Sequence, residues 1–493
     1  MTLDTLIVVI YLAGAVGLGL WLGRNQKSVG DYFLGARSLP GWAVLLSIVA
    51  TETSTVTFLS VPGLSFNPEG GDFRFLQITF GYVVGRLAIV AFLLPLFFRG
   101  QAFTAYELME RRYGVTTRRL TSVLFLITRN LADALRLFLT AIVLQQAIGL
   151  DVRLCVIVIG VVTIGYTVFG GVKSVVWNDC IQFMVYTLGA LAAVQVLGAK
   201  TPGGWNGIFE FAQEADKLRV FDLRLSPADG GVSFWAGLLG GAFLTAATHG
   251  TDQMMVQRYL AARSRGAAGW ALGLSGFVVM AQFALFLLIG VGMACFYASS
   301  PPDGVPVDSF KGDVVFSHFI VNHLGRGLVG LTLAAVFAAA MSTLSSSLNS
   351  SATTLIKDVV VPCVKTPLSD PQQLKLGRAA TALFGVVQIT LALAGYGIGI
   401  ERDTVNAVLK IASFVAGPML GLYIIAAFGP RLALVGQSSM LSGLGVGFVV
   451  VGAVAQRYGP HWLWYSLIGA LVTIACALVL AVLTPKGRGD EDA

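Results

Sequence analysis

Residues Ala50-Thr51-Glu52-Thr53-Ser54-Thr55-Val56-Thr57, followed by Pro62-Gly63, sit inside an otherwise apolar run from 42 to 62. The run is long enough to cross a bilayer, whose hydrocarbon core takes about 20 residues of helix. Polar groups at that depth are expensive, and most of these residues are poor helix formers. The stretch therefore reads as a membrane-spanning helix that unwinds part-way across. Unwound backbone in a membrane is tolerated only where it lines a cavity or is buried in protein. Its freed carbonyls are then available to a cation. The plainer alternative is a packed Ser/Thr helix whose hydroxyls bond their own backbone, but Glu52 has no place in such packing.

The chain around this stretch agrees with a membrane setting. Of 493 residues, 56% are apolar and 12% charged, against roughly 25% charged in soluble domains. The mean hydropathy is +0.78. These values exclude a water-soluble enzyme, and they exclude a disordered chain, which needs low hydrophobicity and high net charge. An all-α polytopic membrane protein is expected, with about thirteen spans. They fall at 5–23, 42–62, 75–98, 119–148, 154–171, 179–198, 232–254, 268–297, 327–356, 377–399, 404–428, 436–456 and 462–484.

Lysine and arginine gather in alternate loops. Arg24, Lys27, Arg37, Arg99, Arg111, Arg112, Lys173, Arg258, Arg263, Arg265 and Lys357 fall on one side. By the positive-inside rule this side is cytoplasmic, so an odd span number gives an N-terminus outside and a C-terminus inside. The net charge of +7 thus reports topology in the cytoplasmic (inner) membrane rather than a nucleic-acid partner. Two longer loops, 199–231 and 298–326, are expected outside, and 104–114 is expected as a short amphipathic helix at the inner face. The first run has Asp4 and no basic region before it, and Arg24 and Lys27 after it, so an anchor is expected rather than a cleaved signal. Five cysteines without a CxxC pair, and four histidines without ligand spacing, support neither a disulfide framework nor a transition-metal centre.

Further polar residues break the apolar pattern. In the ninth span, Ala339-Ala340-Met341-Ser342-Thr343-Leu344-Ser345-Ser346-Ser347-Leu348-Asn349 places 342, 345, 346 and 349 on one helical face. Such a ladder of oxygens also serves plain helix packing. Trp177-Asn178-Asp179 opens the sixth span, where a lone carboxylate reads most simply as interfacial. Hard cations take several carbonyl, hydroxyl and carboxylate oxygens. A broken span facing a hydroxyl ladder suits a small alkali ion. A second interruption, Thr245-Ala246-Ala247-Thr248-His249-Gly250-Thr251-Asp252-Gln253, lies five spans after the first. Paired interruptions in corresponding positions point to an inverted repeat with its site at the midplane, here spans 2–6 and 7–11. Arg86, Arg129, Asp133, Arg136 and Lys410 are further intramembrane charges. Asp133 and Arg136 can pair at three residues' separation, and a guanidinium fork also fits a solute carboxylate.

With these residues the chain resembles the bacterial sodium:solute symporter family. The matching stretches are Asp31-Tyr32-Phe33-Leu34-Gly35, Ala50 to Phe58, Ala105-Tyr106-Glu107-Leu108-Met109-Glu110, Val176-Trp177-Asn178-Asp179, Asp252 to Leu260 and Phe337 to Ser350. The resemblance implies a leucine-transporter-type fold: a 5+5 inverted-repeat core with one helix before it and two after. On that division, 1–41 holds the first helix and an inner loop, 42–198 the first repeat, 199–231 an outer loop, 232–430 the second repeat and 431–493 two extra helices and a tail, all one transmembrane domain. It implies a sodium site from the carbonyls of Ala50, Thr53 and Ala339 and the hydroxyls of Ser342 and Thr343. Some members hold a second sodium near Asp179, Ser345 and Ser346, and this chain has all three.

Glu52 stands where sugar-acid carriers in the family have an uncharged residue, and the arginine they use in the fourth span aligns near Ala132. Sialic acid is therefore not expected as the solute. Candidate solute contacts are Glu52, Ser54, Thr57, Gln77, Arg136 and His249. The expected function is secondary active transport, coupling inward sodium flux to uptake of a small polar or anionic organic solute by alternating access. A proton-coupled carrier using Glu52 or Asp133 is the alternative. There is no Walker-type phosphate loop and no catalytic constellation, so no enzyme is expected. Sodium is expected as co-substrate with no organic cofactor. The lipid bilayer is the expected partner, with no nucleic acid and no obligate protein partner.

Overall fold

A computed structural model describes residues 2–24, 26–68, 70–100, 102–225, 232–301, 312–397, 402–428, 435–457, 459 and 461–483. Among the described residues it is helical throughout, with no strand beyond one isolated bridge between Leu39 and Ala262. The helices used below are α1 (Leu3–Gly23), α2 (Gly41–Glu52), α3 (Thr55–Phe66), α4 (Gln77–Ala88), α5 (Glu107–Ile148), α6 (Val152–Lys200), α7 (Gly241–Gly250), α8 (Gln253–Ala261) and α9 (Arg265–Ser299). They continue with α10 (Leu328–Thr354), α11 (Asp370–Gly397), α12 (Arg402–Phe428), α13 (Gln437–Arg457) and α14 (Leu463–Leu483).

Among the described residues, eight helices are long and apolar enough to cross a membrane, or nine if α2 and the helix after its break are one span. Large apolar side chains face outward: Trp21 is 63% exposed, Val449 72% and Leu483 70%. Serines, threonines and charged groups are turned inward, among them Ser342, Ser347, Arg86 and Asp179, each fully buried. That inverted arrangement suits a lipid solvent, where apolar side chains cost nothing outside and polar ones need partners inside.

The spans expected at 154–171 and 179–198 are the two arms of α6, which part at Gly171, the one residue of the run outside helical geometry (φ +55°, ψ −157°). Its direction changes at Gly171 alone, where φ is +55° and a Cβ would lie 2.5 Å from the Tyr32 carbonyl. Only glycine takes that backbone without strain. At about 1.5 Å per residue, its 49 residues reach roughly twice the bilayer core. The helix expected at 104–114 runs from Glu107 to Tyr113 and is set off from the rest of α5 by Gly114 (φ +81°, ψ 172°). The expected spans at 119–148 and 232–254 are helical but do not belong to the apolar set. The first carries Arg129, Asp133 and Arg136, and the second is interrupted at 251–252. Lys410 lies outside the residues whose side chains are described.

Helix α10 packs most extensively along α6, and α9 packs against α3. Gly290 of α9 makes the second contact possible, because a Cβ there would fall 2.0 Å from the Pro62 carbonyl. The described part of the long loop, 201–225, folds back and is tied down. The Lys217 ammonium donates to the carbonyls of Ser65, Phe66, Asn67 and Gly71 at 3.1–3.4 Å. It thereby satisfies carbonyls that the end of α3 leaves unpaired, and burial pushes its pKa down. Gln77 accepts from the Asp222 amide at 2.9 Å and donates to the Val232 carbonyl at 2.8 Å. Hydrogen bonds from Arg224, with help from Arg74, hold the Asp222 carboxyl well below the usual carboxylate range.

Candidate functional site

The second span is broken where the sequence predicts. Helix α2 ends at Glu52, and Thr53 (φ −82°, ψ 82°) and Ser54 (φ −74°, ψ 167°) are not helical. The two halves meet at 61°. Ser54 restarts the helix as its N-cap, its hydroxyl accepting from the Thr57 amide at 3.4 Å. A continued helix would send the Ser54 amide to Ala50 and the Thr57 amide to Thr53. Here Ser54 donates to the Glu52 carbonyl at 3.0 Å and Thr57 to the cap hydroxyl. The Ala50 and Thr53 carbonyls are left without their helical donors, which is what a hard cation needs.

Helix α10 faces this break. Thr343 Oγ1 donates to the Thr51 carbonyl at 3.2 Å, and Thr55 Oγ1 donates to the Val336 carbonyl at 3.1 Å. Ser342 Oγ is 3.4 Å from Thr51 Oγ1. A narrow cleft between the segments is lined by Ser54, Thr55, Ala339, Ala340, Thr343, Asp133 and Arg136. Ser342 and Thr343 thus lie against Thr51 at the end of α2, Ala339 lines the cleft beside Ser54, and the Ala50 and Thr53 carbonyls belong to the break itself.

Asp179 is not interfacial. It is fully buried, and it accepts from Ser342 at 2.6 Å and from Ser47 at 2.5 Å. Ser346 lies beside it, whereas the Ser345 hydroxyl turns back to the Ser342 carbonyl at 3.2 Å. The signal missed in the sequence is Arg258. Grouped by spacing with the inner-loop cations, it is 2% exposed and forms an ion pair with Asp179 at 3.1 Å.

Next to the break opens a cavity of about 730 Å³. Glu52, Ser54, Thr57, Arg136 and His249 line it together. Gln77 does not. Its amide is spent at the outer end, on the Arg74 and Val232 carbonyls and the Asp222 amide, so its role is to secure the outer loop. The rest of the wall is largely apolar, including Val61, Leu64, Phe75, Phe283, Met254 and Trp462.

The charges in this wall are paired. Glu52 is held by Arg86, an ion pair whose guanidinium is fully buried and also donates to Ser275 at 2.7 Å. His249 Nε2 is 3.6 Å from Glu52, too far for a hydrogen bond, while Nδ1 lies 3.1–3.2 Å from the Thr248 and Thr245 hydroxyls. Asp133 takes both arms of Arg129 at 2.5–2.6 Å and one arm of Arg136 at 2.8 Å. The expected Asp133–Arg136 pair exists, but Arg129 is the fuller partner. Arg129 also reaches Asp252 at 3.1 Å. Asp252 caps α8 just after the second interruption, where Thr251 and Asp252 leave helical geometry. Both broken helices therefore meet the same cavity. Arg136 is the most open of the three arginines, with 29% of its side chain exposed. Among the described residues its guanidinium makes one hydrogen bond.

A family model described as the sodium:solute symporter family matches residues 32–447. The chain belongs to the sodium:solute symporter family. This symporter is 28% identical to a sodium/sialic acid symporter of Aliivibrio fischeri, over 100% of this chain and 95% of that one. It is 28% identical to a sodium-coupled monocarboxylate transporter of Danio rerio, covering 93% of this chain and 74% of that one. A solved structure of a Na+-coupled sialic acid symporter, substrate-bound and outward-open, aligns with TM-score 0.87 at 26% identity, covering 99% of both chains. The symporter is a multi-pass membrane transporter that couples solute uptake to sodium, not an enzyme. The proton-coupled alternative is not favoured: Glu52 and Asp133, its two candidates, are both committed to arginines.

Proposed function

We propose that this symporter binds sodium at the break in its second span, on the Ala50, Thr53 and Ala339 carbonyls and the Ser342 and Thr343 hydroxyls. The observation that carries this is the release of the Ala50 and Thr53 carbonyls opposite Thr343. The solute occupies the adjoining cavity, with Ser54, Thr57, Arg136 and His249 in its polar wall and Glu52 organised by Arg86. Sodium joins the two halves of the broken span to α10 and completes the solute wall, so each ligand raises the affinity for the other by the same factor. Alternating access then carries both inward in a 5+5 inverted-repeat core of a thirteen-span protein, N-terminus outside and C-terminus inside. Two interrupted helices meeting one cavity support the repeat. The membrane potential contributes ~2.3 kcal/mol per sodium charge per 100 mV.

The solute is a small organic monocarboxylate. The partly open Arg136 fork suits a carboxylate, and the apolar walls suit a compact apolar body. The relatives that carry monocarboxylates support this class, whereas the sialic acid carriers keep sialic acid in the test panel. Purified protein is screened by thermal shift against monocarboxylates, amino acids, sugars and sialic acid, with sodium and with choline. A ligand that binds the folded state raises its stability by mass action. A monocarboxylate that stabilises in sodium and not in choline is the expected result. Stabilisation independent of sodium overturns the coupling, and stabilisation by sialic acid alone overturns the solute class.

A further inference from the structure

The oxygens that hold a second sodium in some members of the family are already serving a cation in this chain. Arg258 lies on α8, every residue of which is buried. Its Nε donates to Ser47 at 2.8 Å and its Nη1 to the Met254 carbonyl at 2.5 Å. Its Nη2 reaches Asp179 at 3.1 Å and also bonds Thr51 and Ser346. Asp179 and Ser346, two of the three candidate residues for a second ion, are thus turned to the guanidinium, and the third, Ser345, bonds its own helix. The residues do not fit a second sodium while Arg258 is there.

A guanidinium is charged at every accessible pH, so it cannot make room by losing its proton. Two positive charges would then share one buried carboxylate, since among the described residues Asp179 has no other ion-pair partner. In a dry site the repulsion and the lost hydrogen bonds oppose the second ion strongly. Leaving is also costly for Arg258, since all three of its nitrogens would give up buried acceptors.

We infer that Arg258 is a built-in cation at Asp179, and that this symporter accordingly binds one sodium, at the broken span, with no second ion at Asp179. The count of one rests on the sodium site proposed above. The occupation of Asp179 by Arg258 does not. Ser342 links the two places. Its hydroxyl, a proposed sodium ligand, donates to Asp179, whose charge Arg258 balances.

The test is the number of ²²Na⁺ ions bound per purified protein, counted at saturation. Wild type is expected to bind one. Arg258→Ala is expected to bind two, and Arg258→Ala with Asp179→Asn to return to one. Millimolar free guanidinium should expel the second ion from Arg258→Ala and leave the wild-type count unchanged. If wild type binds two ions and Asp179→Asn alone removes one, the inference is overturned. That measurement needs no change at Arg258, so it stands even if the alanine variant fails to fold. If wild type binds none while Arg258→Ala gains one that depends on Asp179, the broken-span site falls and the inference about Arg258 holds.

Discussion

Glu52 is the last helical residue before the break, and Arg86 of α4 holds it there. Replacing Glu52 with Gln keeps the shape and deletes the charge. The Arg86 guanidinium, fully buried, then retains the Ser275 hydroxyl at 2.7 Å and the Tyr82 ring 5.8 Å away, with no anion. Removing one partner of a buried ion pair costs ~3–5 kcal/mol, whereas replacing both partners together is often near neutral. The Glu52 side chain is 15% exposed to the cavity, so water offsets part of the loss and the lower end, ~3 kcal/mol, applies to each single change. Independent losses would sum to about 6 kcal/mol in Glu52→Gln with Arg86→Gln. A coupled pair should lose only ~1–2 kcal/mol in the double variant, a coupling of about 4 kcal/mol. Chemical unfolding of all four proteins in the same mixed micelles measures the cycle. Additive losses, or a double variant less stable than either single, would refute the pairing as the anchor of the break.

The remaining predictions address the ion, the solute and the outer face. Thr343→Ala removes one neutral hydrogen bond to the Thr51 carbonyl, worth ~0.5–1.5 kcal/mol, so the half-saturating sodium concentration should rise roughly two- to tenfold. An unchanged sodium curve for ²²Na⁺ binding would remove Thr343 from the site. Arg136→Gln should raise the solute KM by one to two orders of magnitude, consistent with a charged hydrogen bond of ~1.5–3 kcal/mol, and leave sodium binding without solute near wild type. Equal loss of both would make Arg136 structural. The depressed Asp222 carboxyl contributes stability that is present above the ordinary carboxylate range and lost only as pH falls through its lowered value. Protease accessibility of the 215–225 stretch should therefore stay constant from about pH 7 to 5 and rise in Asp222→Asn at every pH. A rise in wild type across that window would contradict the Arg224 and Arg74 contacts.

What the sequence made legible follows from the cost of polarity in lipid. Thr51 to Thr57, Ser342 to Asn349 and Thr245 to Gln253 stand out because their neighbours are apolar, and both predicted interruptions occur within these windows. Their partners stand out less. Arg86 and Glu52 are 34 residues apart, and Arg258 and Asp179 are 79 apart, separations that carry no helical periodicity. Gly171 divides the two expected spans of α6 with a single positive-φ residue in place of a longer loop.

Arg258 shows why charge counting failed where packing succeeded. Positive-inside counting assumes that a cation near a span end is hydrated. Helix α8 follows the second interruption directly, so its arginine is carried back into the bundle, toward Asp179 and the face of α10. An interrupted span changes which flanking residues belong to the interior. The same argument reaches Asp252. It is the residue at which α8 begins, it caps that helix through the Met254 amide at 2.8 Å, and it takes Arg129 from the opposite wall. One short helix thus sends an anion to the solute cavity at its start and a cation to Asp179 six residues later.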